Sequence, residues 1–199
     1  ERVRKFAEHQ LKSMNNNFEV ELSKGLFAGQ RLIPVETAGC YIPGGRYAHI
    51  SSAVMAITPA KVAGVEKIIC ASPPKGNDGA NAGIIYAANL CGANTIMNLG
   101  GVAAIGALTH GLFGNPPVDF LVGAGNQYVA EAKRIVYGKV GIDQFAGPTE
   151  IAIIADKSAD KELVAADIVG QAEHGYNSPG WLFTTDKSLA DYVMKRIPE

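Results

Sequence analysis

Short apolar runs alternate along this chain with longer, alanine-rich segments, and this alternation constrains the fold more than any other feature. Apolar runs of this length suit strands that are buried on both faces of a sheet. The alanine-rich segments between them have the length and composition of helices. Because strands that alternate with helices build βαβ units, the sequence predicts an α/β protein with a mostly parallel sheet.

The apolar pattern also sets approximate element bounds. Strands are predicted at residues 39–42, 67–71, 95–99, 119–122, 150–155 and 181–184. Helices are predicted at 2–14, 48–63, 80–92, 101–111, 125–137, 160–174 and 187–196. The first helix is expected to turn Val3, Phe6 and Leu11 toward a core, and an extended stretch is expected to run through 32–35. The run Phe-Ala-Gly-Pro-Thr at 145–149 is a candidate domain boundary.

Composition and charge exclude several classes of protein. Apolar residues make up 47% of the chain and charged residues 19%, which is typical of a globular α/β protein rather than a disordered one. The net charge is −1 without a run of like charges, so we expect no nucleic-acid partner. No stretch approaches the roughly 18 consecutive apolar residues of a membrane span, and no apolar leader segment follows the first residues. We therefore expect a cytoplasmic protein with no membrane partner.

The cysteines carry no recognisable site motif. Cys40, Cys70 and Cys91 are odd in number and widely spaced, which fits neither a disulfide framework nor a CxxC metal knuckle. Free cysteine behaves as a small hydrophobic residue. We interpret all three as buried thiols.

Three glycine-rich turns each follow a predicted strand and precede a predicted helix. Their sequences are Tyr-Ile-Pro-Gly-Gly-Arg at 41–46, Leu-Gly-Gly at 99–101 and Val-Gly-Ala-Gly-Asn at 122–126. Glycine lets backbone amides approach a ligand, and a helix N-terminus favours an anion. Because open parallel sheets bind ligands outside the carboxyl ends of their strands, the three turns together favour a nucleotide site. None is a GxGxxG motif, so short connections that simply need glycine are the alternative.

The segment Gln-Ala-Glu-His-Gly at 171–175 lies at the end of a predicted helix. Gln171 and His174 are three residues apart, which puts an amide oxygen and an imidazole on one helical face, where both can face a metal. Two ligands do not close a tetrahedral zinc site. A helix that ends in a capping histidine before Gly175 is therefore an open alternative.

Four segments together resemble the histidinol dehydrogenase family in order and spacing. They are 41–45, 123–126, Ala-Gly-Pro-Thr-Glu at 146–150, and 171–175, and the resemblance covers nearly the whole chain. It implies two Rossmann-like, mostly parallel α/β domains, one inserted in the other. Residues 1–40 and 150–199 would form the interrupted domain and 41–149 the inserted NAD-binding domain, within an intertwined homodimer.

The resemblance also implies the chemistry: zinc- and NAD-dependent oxidation of a primary alcohol through the aldehyde to the carboxylate. By position it makes Gln171 and His174 zinc ligands and places these two, with Thr149, at the substrate. The family's Glu-His acid/base pair and its remaining Asp and His zinc ligands lie in its C-terminal half. We therefore expect these 199 residues alone to be inactive. A catalytically inactive nucleotide- or metabolite-binding fragment and a purely structural α/β domain are the competing interpretations.

For the cofactor, the resemblance puts Tyr41, Pro43, Ala103 and Asn126 at the NAD. Two positions depart from the family pattern. Ala103 stands where the family usually has Gln, and Ala124 stands where it usually has Pro. Both departures remove possible contacts with NAD.

The substrate is the least determined feature. Residues 44–49 and 176–179 look more like a sulfopropanediol 3-dehydrogenase-like branch of the family than like its biosynthetic branch. A sulfonate is a permanent anion and suits arginine, whereas histidinol is a cation. Arg46 and His49 therefore favour a small anionic diol over histidinol. Contact of Arg46 with the NAD pyrophosphate, or only with solvent, is the alternative.

Overall fold

The computed structural model of the chain describes residues 1–14, 17–44, 48–145, 149–172 and 178–197. The chain divides into two compact units, Glu1–Ala146 and Gly147–Glu199. The division falls inside the Phe-Ala-Gly-Pro-Thr run at 145–149. Among the described residues, no helix has the length and apolar character needed to cross a membrane.

The first unit is built on a parallel sheet. Its elements are α1 (Arg2–Met14), β1 (Phe18–Ser23), β2 (Leu26–Gln30), β3 (Thr37–Tyr41), α2 (Ile50–Val62), β4 (Lys67–Ser72), α3 (Ala82–Cys91), β5 (Thr95–Asn98), α4 (Gly101–His110), β6 (Phe120–Val122), α5 (Gln127–Val136) and β7 (Gly141–Ile142). Strands β3 to β7 pair in parallel in the order β5-β4-β3-β6-β7. The predicted α/β class with a mostly parallel sheet is confirmed.

The sheet is buried on both faces, which explains the uninterrupted apolar runs of its central strands. In β4, Ile68 and Cys70 belong to a core cluster with α2 and α3. Their neighbours Ile69 and Ala71 belong to a second cluster with α4 and α5. All four side chains are fully buried. Full burial of an isoleucine contributes roughly 1.5–3 kcal/mol, so this interior strand packs firmly against both helical layers.

Local capping signals fix the helix ends. The Asn81 side chain accepts a hydrogen bond from the Gly83 amide at the start of α3, over 2.9 Å. Gly92 ends the same helix in the left-handed conformation, with φ +102°. The predicted helices agree with the observed ones to within two residues where both ends are described, because such signals are written in the sequence.

The N-terminal segment departs from the prediction in two ways. Strands β1 and β2 form an antiparallel hairpin whose pairing was not predicted, within the segment that was expected to be extended. Residues 32–35 belong to no helix or strand. Every residue of the hairpin is exposed. The available signal in the sequence was the alternation of Phe18, Val20 and Leu22 with polar residues along β1, which is typical of a strand. On α1 the buried residue is Ala7, and Phe6 is 67% exposed, contrary to prediction. Phe6 lies about 100° around the helix from Ala7 and therefore on a different face from the buried one.

The second unit is one compact βαβα unit. It comprises β8 (Ile151–Ala155), α6 (Lys161–Ala172), β9 (Gly180–Thr184) and α7 (Lys187–Arg196). The two strands pair in parallel, as predicted. Both helices cover one face of the pair, where Ile168 and Leu189 pack near Ile153. The grouping of 150–199 with residues 1–40 in one interrupted domain stays a prediction.

Candidate functional site

The carboxyl edge of the five-stranded sheet is the candidate ligand site. In the order β5-β4-β3-β6-β7, the chain first adds β4 and β5 on one side of β3. It then adds β6 and β7 on the other side. The order therefore reverses between β3 and β6. Open parallel sheets bind ligands in the crevice at such a switch point, at the carboxyl ends of the strands. The three predicted glycine-rich turns follow β3, β5 and β6 and so belong to this edge.

Tyr41 links two parts of this edge. Its side chain is 5% exposed, and its hydroxyl accepts a hydrogen bond from the Gly101 amide over 3.1 Å. That amide is one of the unpaired donors at the start of α4. Ala103 lies exposed in the first turn of the same helix, and its methyl group offers no hydrogen bond. The described contacts of Tyr41 are thus structural, and its contact with NAD stays a prediction.

The turn after β6 approaches β3 closely. Gly123 has a φ of +122°, and a Cβ at this position would collide with the carbonyl oxygen of Tyr41. Any residue other than glycine is therefore excluded here by both conformation and space. A Cβ on Gly125 would in turn lie 3.1 Å from the Tyr41 ring. The glycines bring the backbone of this turn against the end of β3.

Asn126 caps helix α5. Its side-chain oxygen accepts hydrogen bonds from the amides of Tyr128 and Val129, over 3.0 and 3.1 Å. The side-chain amide nitrogen is the group that remains to donate to a ligand. Pro43 lies half-buried between the buried Ile42 and Gly44. The contacts of Asn126 and Pro43 with NAD stay predictions.

A buried ion pair supports the turn after β6. The ammonium group of Lys133, a side chain 1% exposed, donates to the Gly123 carbonyl over 2.8 Å and also to the Asp143 carboxylate. The other oxygen of Asp143 accepts from the Gly123 amide over 2.8 Å. Motif spacing does not single out this pair. The available signal was a lysine on the buried face of α5, four residues after Val129.

A buried hydroxyl lies at the end of β4. Ser72 Oγ is fully buried and has no hydrogen-bond partner among the described residues. A Cβ on Gly44 would lie 3.0 Å from this oxygen, which places the hydroxyl beside the turn that follows β3. Buried polar groups are normally paired, so this hydroxyl is an exception among the described residues.

In the second unit, Gln171 and Thr149 are brought together. The side-chain nitrogen of Gln171 donates to the Thr149 backbone carbonyl over 3.0 Å. This bond orients the amide and leaves its oxygen free to act as an acceptor or a metal ligand. His174 and Glu173 lie outside the described residues, as does Arg46. Within the described part of the chain, no group of three or more His, Cys, Asp or Glu side chains could hold a metal.

The cysteines are buried thiols, as predicted. Cys40 and Cys70 lie opposite each other on β3 and β4. Burial raises the pKa of each thiol to about 12, and for Cys40 the neighbouring Cys70 and Asp143 contribute to that rise. Because the thiolate is the reactive form, neither residue is a nucleophile near neutral pH.

The strand order, the covered sheet and the glycine-rich edge define a Rossmann-like α/β protein. The chain belongs to the histidinol dehydrogenase family, whose sequence model matches residues 1–199. It is 71% identical to a histidinol dehydrogenase homolog of Pelagibacter ubique over 199 residues, all of this chain and 46% of that protein. It is 54% identical to sulfopropanediol 3-dehydrogenase of Ruegeria pomeroyi over 98% of this chain and 45% of that protein.

A solved structure agrees with the fold. The crystal structure of histidinol dehydrogenase from Elizabethkingia anophelis matches with a TM-score of 0.83 and 37% identity, over 98% of this chain and 45% of that one. The chain therefore spans about half the length of the relatives it matches. The family resemblance read from the sequence motifs is confirmed.

Proposed function

We propose that this chain is the N-terminal part of a zinc- and NAD-dependent dehydrogenase that oxidises a primary alcohol through the aldehyde to the carboxylate. The observation that carries the proposal is the family match over residues 1–199 together with the glycine-rich edge at the β3/β6 switch point. When bound, NAD accepts a hydride in each of the two oxidation steps, and zinc positions and polarises the alcohol. A homodimer, which the family resemblance implies, and the cytoplasmic location expected from the sequence are part of the proposal.

The residues at the edge fit a dinucleotide. Helix α5 starts directly after the glycine-rich turn that follows β6, and a helix N-terminus favours the negative charge of a pyrophosphate. Tyr41, Pro43 and Asn126 would hold NAD there. Asn126 would donate through its side-chain nitrogen because its oxygen caps α5. Ala103 and Ala124 offer only backbone groups and methyl contacts.

Among the described residues, one side chain fits the role of a zinc ligand. Gln171 is oriented by its bond to Thr149, and its free amide oxygen is a suitable, if weak, ligand. His174 would supply an imidazole, and the two remaining ligands would come from the C-terminal half. Thr149, held next to Gln171, would contact the alcohol. The Glu-His pair that moves protons in the family lies in that same half, so the 199 residues alone would be inactive.

For the substrate we favour a small anionic diol such as 2,3-dihydroxypropane-1-sulfonate over histidinol. The relative from Ruegeria pomeroyi that is 54% identical carries a sulfopropanediol name. Arg46 and His49, which precede α2 in the sequence, would meet the negative charge of a sulfonate.

The test is a full-length enzyme assayed for NADH formation with both alcohols at matched concentrations. We expect a higher kcat/KM for the sulfonate, and a loss of that preference in Arg46→Ala but not in the surface variant Arg134→Ala. A preference for histidinol that survives Arg46→Ala contradicts the substrate assignment alone. No activity with either alcohol contradicts the dehydrogenase proposal.

The metal assignment has its own test. The full-length protein should bind about one zinc per subunit, and His174→Ala should weaken binding by about tenfold or more, with a smaller effect for Gln171→Ala. His9→Ala is the control, because His9 is exposed on α1 and its ring nitrogen bonds to the Lys5 backbone carbonyl, within its own helix. Unchanged zinc affinity in His174→Ala would favour the helix-capping role.

A further inference from the structure

The ion pair between Lys133 and Asp143 holds a single residue from both sides. The Asp143 carboxylate accepts a hydrogen bond from the Gly123 amide, and the Lys133 ammonium donates one to the Gly123 carbonyl. Both polar backbone groups of Gly123 are thus bound, one by an anion and the other by a cation. The two side chains also bond to each other, which closes a ring of three interactions. The backbone amide of Asp143 donates to the Leu121 carbonyl over 3.1 Å, which ties the carboxylate to the end of β6.

Packing alone does not account for this arrangement. Taking a lysine out of water is costly, and an apolar side chain would fill the same space in α5 without that cost. The two charged groups instead bind the first residue of the turn. Two of the four positions of this turn, Gly123 and Gly125, are glycine. Such a turn has many accessible conformations unless its backbone is held.

We propose that Lys133 and Asp143 are positioning residues that hold the Gly123–Asn126 turn in its ligand-binding conformation before the cofactor arrives. The inference rests on the proposed function, since the ligand of this turn is taken to be NAD. A turn that is already ordered loses less conformational entropy on binding, so the ion pair strengthens binding without touching the ligand. Neither residue takes part in the chemistry.

The test compares two substitutions in the full-length, zinc-loaded enzyme. Each removes a cation, and the two positions are adjacent on α5. Lys133→Met removes the buried ammonium, whereas Arg134→Met removes an exposed cation that pairs with Glu131 on the surface. We expect Lys133→Met to raise the NAD dissociation constant by about tenfold, with zinc content, alcohol KM and kcat at saturating NAD unchanged. Arg134→Met should change none of these quantities.

A second variant guards against simple misfolding. Lys133→Met with Asp143→Asn leaves no unpaired charge, so it should fold and still bind NAD weakly. Lys133→Arg, which keeps the charge, should recover part of the affinity. If the Lys133 variants melt at lower temperature but bind NAD as tightly as wild type, the pair is only structural and the proposal is overturned.

Amide hydrogen exchange without NAD separates this proposal from the proposed function. Faster exchange at residues 123–126 in Lys133→Met than in Arg134→Met supports the positioning role, and equal exchange overturns it. A wild-type enzyme that binds no NAD overturns the proposed function, and exchange alone then decides whether the pair positions the turn.

Discussion

The hydroxyl of Tyr41 accepts a hydrogen bond from the Gly101 amide over 3.1 Å, which ties the end of β3 to the start of α4. The two residues are 60 positions apart. Gly101 takes a positive φ of +62°, so this bond satisfies a donor in a conformation that glycine favours. The bond therefore joins two of the three glycine-rich turns at the candidate site.

Tyr41→Phe should lower the free energy of unfolding by about 1 kcal/mol, because the Gly101 amide loses its acceptor in a partly buried setting. Urea unfolding of the full-length protein measures the change. Tyr128→Phe is the matched control, since Tyr128 is 65% exposed and its substitution should cost less than about 0.5 kcal/mol. Equal effects of the two substitutions would show that the bond contributes nothing.

Gly123→Ala should be far more destabilising than Gly138→Ala. Both glycines have positive φ, +122° and +98°, so both variants carry the conformational cost of about 1 kcal/mol or more. Only at Gly123 would the new methyl also collide with a backbone atom, the Tyr41 carbonyl oxygen, whereas at Gly138 the space is open. We expect a difference of at least about 2 kcal/mol in unfolding free energy. Similar costs would mean that β3 moves aside easily.

Cys40 and Cys70 should be inert in the native protein. With a pKa of about 12 each, these thiols are almost entirely protonated at pH 8. Iodoacetamide labelling followed by peptide mass spectrometry should find both unmodified in native protein and modified in urea. Rapid native labelling of either residue would contradict its burial.

The same thiols should make stability depend on alkaline pH. Their pKa rises from an ordinary 9.0 to about 12 on folding, so the folded state favours the protonated form. The resulting stabilisation is complete below pH 9 and is lost as the pH rises toward 12. Unfolding free energy should therefore fall more steeply between pH 9 and 11 in wild type than in Cys40→Ala/Cys70→Ala. Parallel slopes would refute this contribution.

Gln171→Glu should separate the two roles of that side chain. A carboxylate cannot donate to the Thr149 carbonyl, so the metal-free protein should lose about 1 kcal/mol of stability. Carboxylate oxygens bind zinc well, so zinc content should be retained. Gln171→Ala should lose both the bond and part of the zinc affinity. Zinc loss in the glutamate variant equal to that in the alanine variant would count against Gln171 as a ligand.

The success and failure of sequence-based prediction follow from where each signal lies. Helix bounds were predictable because caps such as Asn81 and Gly92 act on neighbouring residues. The hairpin was not predicted, although Phe18, Val20 and Leu22 alternate with polar residues along β1 as in a strand. It pairs outside the five-stranded sheet, so the alternation of strands and helices did not indicate it. The roles of His174 and Arg46 stay predictions, since both lie outside the described residues.

The sequence by itself determined the alternation of strands and helices, the three glycine-rich turns and the family, because each is written in adjacent or regularly spaced residues. Only the tertiary structure decided that β3 and β6 are neighbours, which creates the switch point. It also decided that Lys133 and Asp143 meet at Gly123. The physical reason is that strand order and buried charge pairing depend on contacts between residues far apart in the chain, and no local propensity specifies which partner each will meet.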